Sequence, residues 1–105
     1  MARRIDIRLV FRHRLGEARL NHQLSQKQLG IHAGLDPSVA STRINRYELG
    51  VHEPDMATVQ RLAETLAVPT AYLFADDDRL ARMILAFSKL SIADKERLLK
   101  AAASD

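Results

Sequence analysis

Apolar residues follow a helical period along this chain, and the strict alternation typical of strands is nearly absent. They recur three and four residues apart in most segments, which places them on one face of a helix. In the first segment Leu15 and Ala18 point inward, together with Leu9 or Phe11. The pattern predicts helices at about residues 8–22, 26–33, 37–48, 56–66, 69–74, 79–89 and 92–102. We expect a compact all-α fold, a bundle of about five helices with a C-terminal helical hairpin.

Residues typical of helix ends occur at the limits of these segments. Ser25 and Gln28 have the spacing of a capping box and predict a short helix that ends at Gly34. Asp36-Pro37 combines an N-cap residue with a proline at the first helical position, so it predicts the start of a third helix that Gly50 ends. The caps expected for later helices are Asp55, the aspartates at 76–78, and Ser91.

Two apolar faces occur in the second half of the chain. The inward face expected for the fourth helix consists of Met56, Val59, Leu62, Ala63 and Leu66. The last two helices share a broad apolar stripe formed by Leu80, Met83, Ile84, Phe87, Leu90, Ile92, Leu98 and Leu99. This stripe packs on the rest of the chain, forms a dimer interface, or does both.

Composition excludes several classes of protein. A chain of 105 residues has room for one domain with a modest core. With no cysteine it has no disulfide, thiolate metal site or thiol nucleophile. The sequence contains no apolar run of transmembrane length, and its start lacks the apolar stretch of a secretory signal. We therefore expect a soluble, cytoplasmic protein with no membrane partner.

Charge is distributed unevenly between the two halves of the chain. Residues 1–50 contain nine Lys and Arg against four Asp and Glu, whereas residues 51–105 contain seven against nine. A basic first half suits a polyanionic partner, because each phosphate contact releases condensed counterions. Residues 1–14 form a basic N-terminal segment, which either follows a DNA backbone or is simply solvated. Its arginines are Arg3, Arg4, Arg8, Arg12 and Arg14.

The segment from Leu24 to Glu48 has the pattern of a helix-turn-helix. Two short helices meet at Gly34, and Gly30 provides a small residue where they cross. Ala40, Ile44 and Tyr47 share the inner face of the second helix. Its outer face carries Ser38, Ser41, Thr42, Asn45 and Arg46. Lys and Glu would be usual on a merely solvated face, whereas these residue types hydrogen-bond base edges and phosphates.

The ordered set of motifs resembles the lambda-repressor/Cro-type (XRE) helix-turn-helix family. The similarity is carried by Leu24–Gly30, Glu48-Leu49-Gly50, Pro54 and Thr58–Pro69, and it spans about residues 15–75. The resemblance implies a helix-turn-helix DNA-binding domain at 15–75, with C-terminal helices at 76–105. It also implies that the third helix enters the major groove of double-stranded DNA, while the second helix crosses the backbone.

Roles for individual residues follow from the resemblance. The implied DNA contacts are Gln26, Lys27, Gln28, Ser38, Ser41, Thr42, Arg43, Asn45 and Arg46. Arg19 stands where the family often has an arginine that pairs with the glutamate at the end of the recognition helix, here Glu48. That pair would be structural.

Two departures from the family pattern affect the site. The spacing from Gly34 to Ile44 is longer than usual in the family by about four residues. The additional residues either extend the front of the recognition helix or lengthen the turn, with Ser41 as the cap. Gln23 stands where the family commonly has a glycine, so the first connection between helices is expected to differ.

The expected function is that of a sequence-specific, double-stranded DNA-binding transcriptional regulator of a prokaryote. We expect a homodimer that represses by covering a promoter, because one recognition helix reads few bases. The alternative is an antitoxin-like or adaptor protein whose main partner is another protein. No catalytic motif is found, and His13, His22, His32 and His52 lack metal-site spacing. We therefore expect no enzyme activity, metal, cofactor or small-molecule ligand.

Overall fold

A computed structural model describes residues 5–104 and confirms the all-α class. Within this range the chain forms six α-helices and one short 3-10 helix, and no strand. The α-helices are α1 (Ile7–Asn21), α2 (Gln26–His32), α3 (Ala40–Leu49), α4 (Met56–Thr65), α5 (Asp78–Ser88) and α6 (Ile92–Ala103). The 3-10 helix covers Thr70–Phe74, between α4 and α5.

Side-chain caps explain where most of these helices begin. At α2 the Ser25 hydroxyl accepts a hydrogen bond from the Gln28 backbone N–H at 3.0 Å. The Gln28 side chain in turn accepts from the Ser25 N–H at 2.8 Å, which completes the capping box. Oxygens of Asp6, Asp55, Asp77 and Ser91 accept from the first backbone N–H groups of α1, α4, α5 and α6 in the same way.

The core takes a large, fully buried side chain from each of the first four helices and from the 3-10 helix. These side chains are Leu15, Leu29, Ile44, Leu62 and Leu73, joined by Tyr72. Phe11, and not Leu9, fills the inward position near the start of α1, where its ring stacks on Phe74 at 5.5 Å between centroids. The inward assignment of Met56 is wrong, since its side chain is 67% exposed. As the first residue of α4, Met56 lines a surface groove beside Phe11 and lies outside the core.

The C-terminal helices contribute little to this core. From α5 only Ala81 is buried, and Ile84 and Leu85 are partly buried against the core. No residue of α6 is buried. Half of the predicted apolar stripe is therefore exposed, namely Leu80, Met83, Ile92 and Leu99, and its other four residues are partly buried.

Arg14 differs from Arg8 and Arg12, the other described arginines of the basic N-terminal segment. It is only 5% exposed, and it donates to the Ala75 carbonyl and to the Asp78 carboxylate. Arg14 is therefore neither solvated nor free to follow a DNA backbone, because its side chain is directed towards the end of the 3-10 helix. Arg8 is exposed and pairs with Asp6. The predictions for Arg3 and Arg4 lie outside the described residues.

The connection between α1 and α2 contains a residue in a conformation that favours glycine. Gln23 has φ +59°, in the left-handed region. We expect Gln23→Gly to raise the free energy of unfolding by about 1 kcal/mol, because Cβ is penalised there. The matched control is Gln60→Gly on an exposed position inside α4, which should lower it by about 1 kcal/mol. Chemical denaturation measures the free energy of unfolding of both variants. If Gln23→Gly lowered it, the backbone of Gln23 would not be strained.

Among residues 5–104, no helix is both long enough and apolar enough to cross a membrane.

Candidate nucleic-acid interface

The crossing of α2 and α3 depends on two small residues. A Cβ added at Gly30 would lie 2.7 Å from the Ala40 Cβ and 2.9 Å from the Ala40 carbonyl oxygen. The backbones of the two helices therefore meet in direct contact at this point. Leu29 and Ile44 close the core beneath the crossing. The angle between α2 and α3 is thus determined by backbone contact, with no long side chain between them.

The turn between these helices is longer than a simple helix-turn-helix turn. Gly34 has φ +92°, and the Leu35 N–H donates to the Gly30 carbonyl at 2.9 Å. Arg61 of α4 donates to the Ala33 carbonyl at 2.9 Å and so satisfies the end of α2. The additional residues of this chain therefore lie in the turn.

The predicted helix start at Asp36-Pro37 is wrong. The Asp36 carboxylate accepts from both the N–H and the hydroxyl of Ser38, at 2.8 and 2.6 Å, which closes a local turn. These two bonds hold the pKa of Asp36 below its ordinary value, with the hydroxyl bond the larger cause. Helix α3 begins at Ala40, and its N-cap residue is Val39, which makes no side-chain cap. Ser41 is thus not the cap, and lies inside the helix.

Helix α3 has an apolar inner face and a polar outer face. Ala40, Ile44 and Tyr47 are buried. The exposed positions of this helix include Ser41, Thr42, Arg43, Asn45 and Arg46. Ser38 is exposed as well, but it lies in the turn before the helix. These five exposed side chains of the helix form one outward set, which we call the α3 face.

The start of α2 lies next to this face. The Gln26 amide donates to the Asn45 side-chain oxygen and to the Glu48 carboxylate, both at 3.2 Å. Gln26 is half-buried, whereas Lys27 and Gln28 are exposed. The Gln28 side-chain oxygen is occupied by its capping bond to Ser25. Gln26 therefore bridges the two helices, and the next residue, Lys27, is an exposed cation of α2.

An ion pair ties α1 to the end of α3. The Arg19 guanidinium donates to both Glu48 oxygens, at 2.6 and 3.1 Å, and the two side chains are 14% and 13% exposed. Arg19 also donates to the Leu24 carbonyl at 3.0 Å. This is the fork geometry that arginine offers a carboxylate. It fixes α1, the α1–α2 connection and α3 relative to one another.

Arg12 and Arg61 have structural contacts that sequence reasoning did not identify. Arg12 donates to the Leu49 carbonyl at 2.9 Å, and a Cβ at Gly50 would lie 2.6 Å from its guanidinium. It thus satisfies the end of α3, as Arg61 satisfies the end of α2. The left-handed glycine at 50 marks the helix end in the sequence. The arginine that donates to each of these two carbonyls belongs to a helix distant in sequence, so the residues around the carbonyl do not predict it.

The α3 face is cationic. Arg43 and Arg46, with His52 after the helix, line a shallow groove of about 320 Å³ together with Tyr47 and Glu53. Glu48, the one carboxylate within α3, is neutralised by Arg19. The surface thus offers hydrogen-bonding groups and positive charge on a helix whose first residue packs against α2 and whose last turn is bonded to α1.

Comparison with known proteins agrees with this geometry. A helix-turn-helix family model matches residues 15–73. The crystal structure of the transcriptional regulator BswR is 43% identical in sequence and has a TM-score of 0.81. That similarity covers 87% of this chain and 90% of the BswR chain. No curated protein matches. The chain belongs to the lambda-repressor/Cro-type (XRE) helix-turn-helix family, which is a family of DNA-binding regulators and not of enzymes.

Proposed function

We propose that this protein is a sequence-specific regulator that inserts α3 into the major groove of double-stranded DNA. The observation that carries the proposal is the α3 face, an exposed set of short polar and cationic side chains on a helix fixed by its neighbours. Side chains of this kind bond base edges and phosphates. A base contact needs a positioned side chain, and the Gly30–Ala40 crossing and the Arg19–Glu48 pair restrict the movement of α3.

The proposed contacts divide into two kinds. Asn45 and Arg46 read bases, with Ser41, Thr42 and Arg43 beside them on the α3 face. Lys27 and Gln28, exposed at the start of α2, contact phosphates through the Lys27 ammonium group and the Gln28 side-chain amide. Gln26 joins the two sets through its bond to Asn45. Ser38 uses its hydroxyl within the turn, so we assign it a position at the edge of the interface.

We expect Asn45→Ala and Arg46→Ala each to weaken specific binding by about 1–3 kcal/mol if each contacts a base. Arg46→Ala should also reduce the dependence of binding on salt, because it removes a positive charge from the interface. Fluorescence anisotropy over a range of salt concentrations measures both effects. The matched control is Arg82→Ala, which removes the same charge from an exposed position of α5. Equal losses for Arg46→Ala and Arg82→Ala would exclude Arg46 from the interface.

We further propose that two copies associate through α5 and α6. A 12-residue helix with no buried residue is marginal by itself in water, so α6 needs a partner surface. Leu80, Met83, Ile92 and Leu99 remain exposed on the same pair of helices. A second copy offers an identical apolar surface, as twofold interfaces require. Such a dimer would repress by covering two half-sites in a promoter.

Met83→Glu is expected to raise the dimer dissociation constant at least about tenfold, because a charge would be placed in an apolar interface. Analytical ultracentrifugation across concentrations measures this constant. Leu20→Glu, on a 65% exposed apolar position of α1, is the control and should leave the dimer intact. A wild-type chain that stays monomeric would contradict the dimer. The exposed α5–α6 surface would then favour the second candidate function, an adaptor or antitoxin-like protein that binds another protein through it.

A further inference from the structure

Arg14 is a buried cation with no place in the proposed DNA contacts. It is 5% exposed, and arginine is rarely buried to this extent without partners. Its Nε donates to the buried Ala75 carbonyl at 3.0 Å, and one terminal nitrogen donates to the Asp78 carboxylate at 3.0 Å. We call this set of two bonds the Arg14 link. It joins the middle of α1 to the last turn before α5 and to the first residue of α5.

Neighbouring groups hold the guanidinium of Arg14 in place. Its carbon atom lies 5.8 Å from the centre of the Tyr72 ring, and a terminal nitrogen lies 3.7 Å from a Glu17 oxygen. The Tyr72 hydroxyl donates to the same Glu17 oxygen at 2.8 Å. Burial and this bond raise the pKa of Tyr72 to about 12, so the hydroxyl remains a donor near neutral pH. The guanidinium of Arg14 therefore has neighbours in Tyr72 and Glu17 besides its two bonds.

Apolar packing alone fixes the direction of α5 only weakly. Ala81 is the one buried residue of α5, Ile84 and Leu85 are only partly buried against the core, and the main contacts of α5 are with the 3-10 helix. The Arg14 link adds two directed, charge-assisted bonds at the base of α5, where a small rotation would displace the far end of the helix. The link is thus well placed to set the angle at which the α5–α6 pair leaves the DNA-binding fold.

Helix α1 carries both this link and the ion pair to the recognition helix. Arg14 and Arg19 are five residues apart, or about 7.5 Å along the helix axis. Arg19 fixes Glu48 at the end of α3, and Arg14 fixes Asp78 at the start of α5. Helix α1 therefore connects the end of α3 with the start of α5.

We propose that Arg14 is a positioning residue that sets the separation of the two DNA half-sites. The inference rests on the proposed dimeric DNA binding. In a twofold dimer, the distance between recognition helices determines which half-site spacing can be bound by both copies at once. The angle of α5 relative to α1 controls that distance. The Arg14 link thus contributes specificity for spacing without touching DNA.

The test compares variants on duplexes that carry two copies of the selected half-site at different separations. For the wild type we expect binding to fall about a hundredfold when the spacing changes by half a helical turn, because only one copy then engages. Arg14→Met keeps the apolar stem and removes both bonds. Asp78→Ala removes only the bond to a carboxylate that is 86% exposed, so the fold should tolerate it. Both variants should bind a single half-site as the wild type does.

We expect the spacing preference to fall at least about tenfold in both variants, because α5 becomes free to change its angle. Arg82→Met and Asp76→Ala are the matched controls, since each makes the same change of charge at an exposed position outside the link. An unchanged spacing preference in both test variants would overturn the inference. So would an equal loss of affinity at every spacing, which would mean a purely structural role. If the wild type itself binds no specific duplex, the result contradicts the proposed function, and with it the inference that rests on it.

Discussion

Glu48→Gln is expected to lower the free energy of unfolding by about 2–3 kcal/mol. The substitution keeps the shape of the side chain but removes the charge that Arg19 faces at 2.6 Å. Both side chains are largely buried, so the guanidinium would keep its desolvation cost while losing its ionic partner. DNA affinity should fall as well, because α1 would no longer fix the end of α3. Urea denaturation and binding to the selected duplex measure the two effects.

Glu53→Gln is the matched control for this prediction. Glu53 lies 3.6 Å from Arg8, but its side chain is 64% exposed. Solvent screens such a pair, so the expected change is no more than about 0.5 kcal/mol. Equal changes for Glu48→Gln and Glu53→Gln would mean that the Arg19–Glu48 pair does not hold α1 against α3.

Gly30→Ala is expected to destabilise the protein by about 2 kcal/mol, although alanine is the better helix former. The new methyl group would lie within 3.0 Å of the Ala40 Cα and closer to its Cβ and carbonyl oxygen. Since these are backbone atoms and a rigid Cβ, the clash can be relieved only by moving α2 away from α3. The α3 face would then shift relative to α2, so specific DNA binding should weaken more than stability alone predicts.

Gly16→Ala is a control that should change the free energy of unfolding in the opposite direction. Gly16 is also helical, but a Cβ there would meet Glu48 atoms no closer than 3.9 Å, an ordinary contact. Alanine should therefore raise the free energy of unfolding by about 0.5–1 kcal/mol through helix propensity alone. Thermal or chemical denaturation of both variants tests the pair. If both glycines respond alike, the tight crossing at Gly30 does not exist in solution.

The helices that could be predicted from the sequence are those whose ends are determined locally. The Ser25–Gln28 capping box, the cap at Asp55 and the cap at Ser91 each involve residues within three positions of one another. Such signals need no knowledge of the fold. The inner face of α3 was predictable too, because Ala40, Ile44 and Tyr47 follow the helical period.

The errors arose where a local signal competed with another local arrangement or with a distant partner. Asp36-Pro37 has the residues of a helix start. The backbone N–H and the hydroxyl of Ser38 both donate to the Asp36 carboxylate, however, and a turn forms instead. Arg14 has a charge that suggests solvent, but a carbonyl 61 positions away in sequence receives its bond. The period of a single helix contains no information about either partner.

The candidate site, too, was only partly predictable from the sequence. Exposure of Asn45 and Arg46 follows from the period of α3, and their residue types suggest contact with DNA. The bond from Gln26 to Asn45 depends on how α2 crosses α3, which is fixed by the contact of Gly30 with Ala40. Sequence reasoning thus found the residues of the face but not the contacts that orient them.

The most direct test of the central claim is selection of bound sequences from a random duplex library with the purified chain, at near-physiological salt. We predict enrichment of two inverted copies of a short half-site, with centres about 10 base pairs apart or a multiple of that distance. This spacing places both α3 faces in the major groove on one side of the duplex. A bound pool with no enriched sequence would contradict sequence-specific recognition by the α3 face.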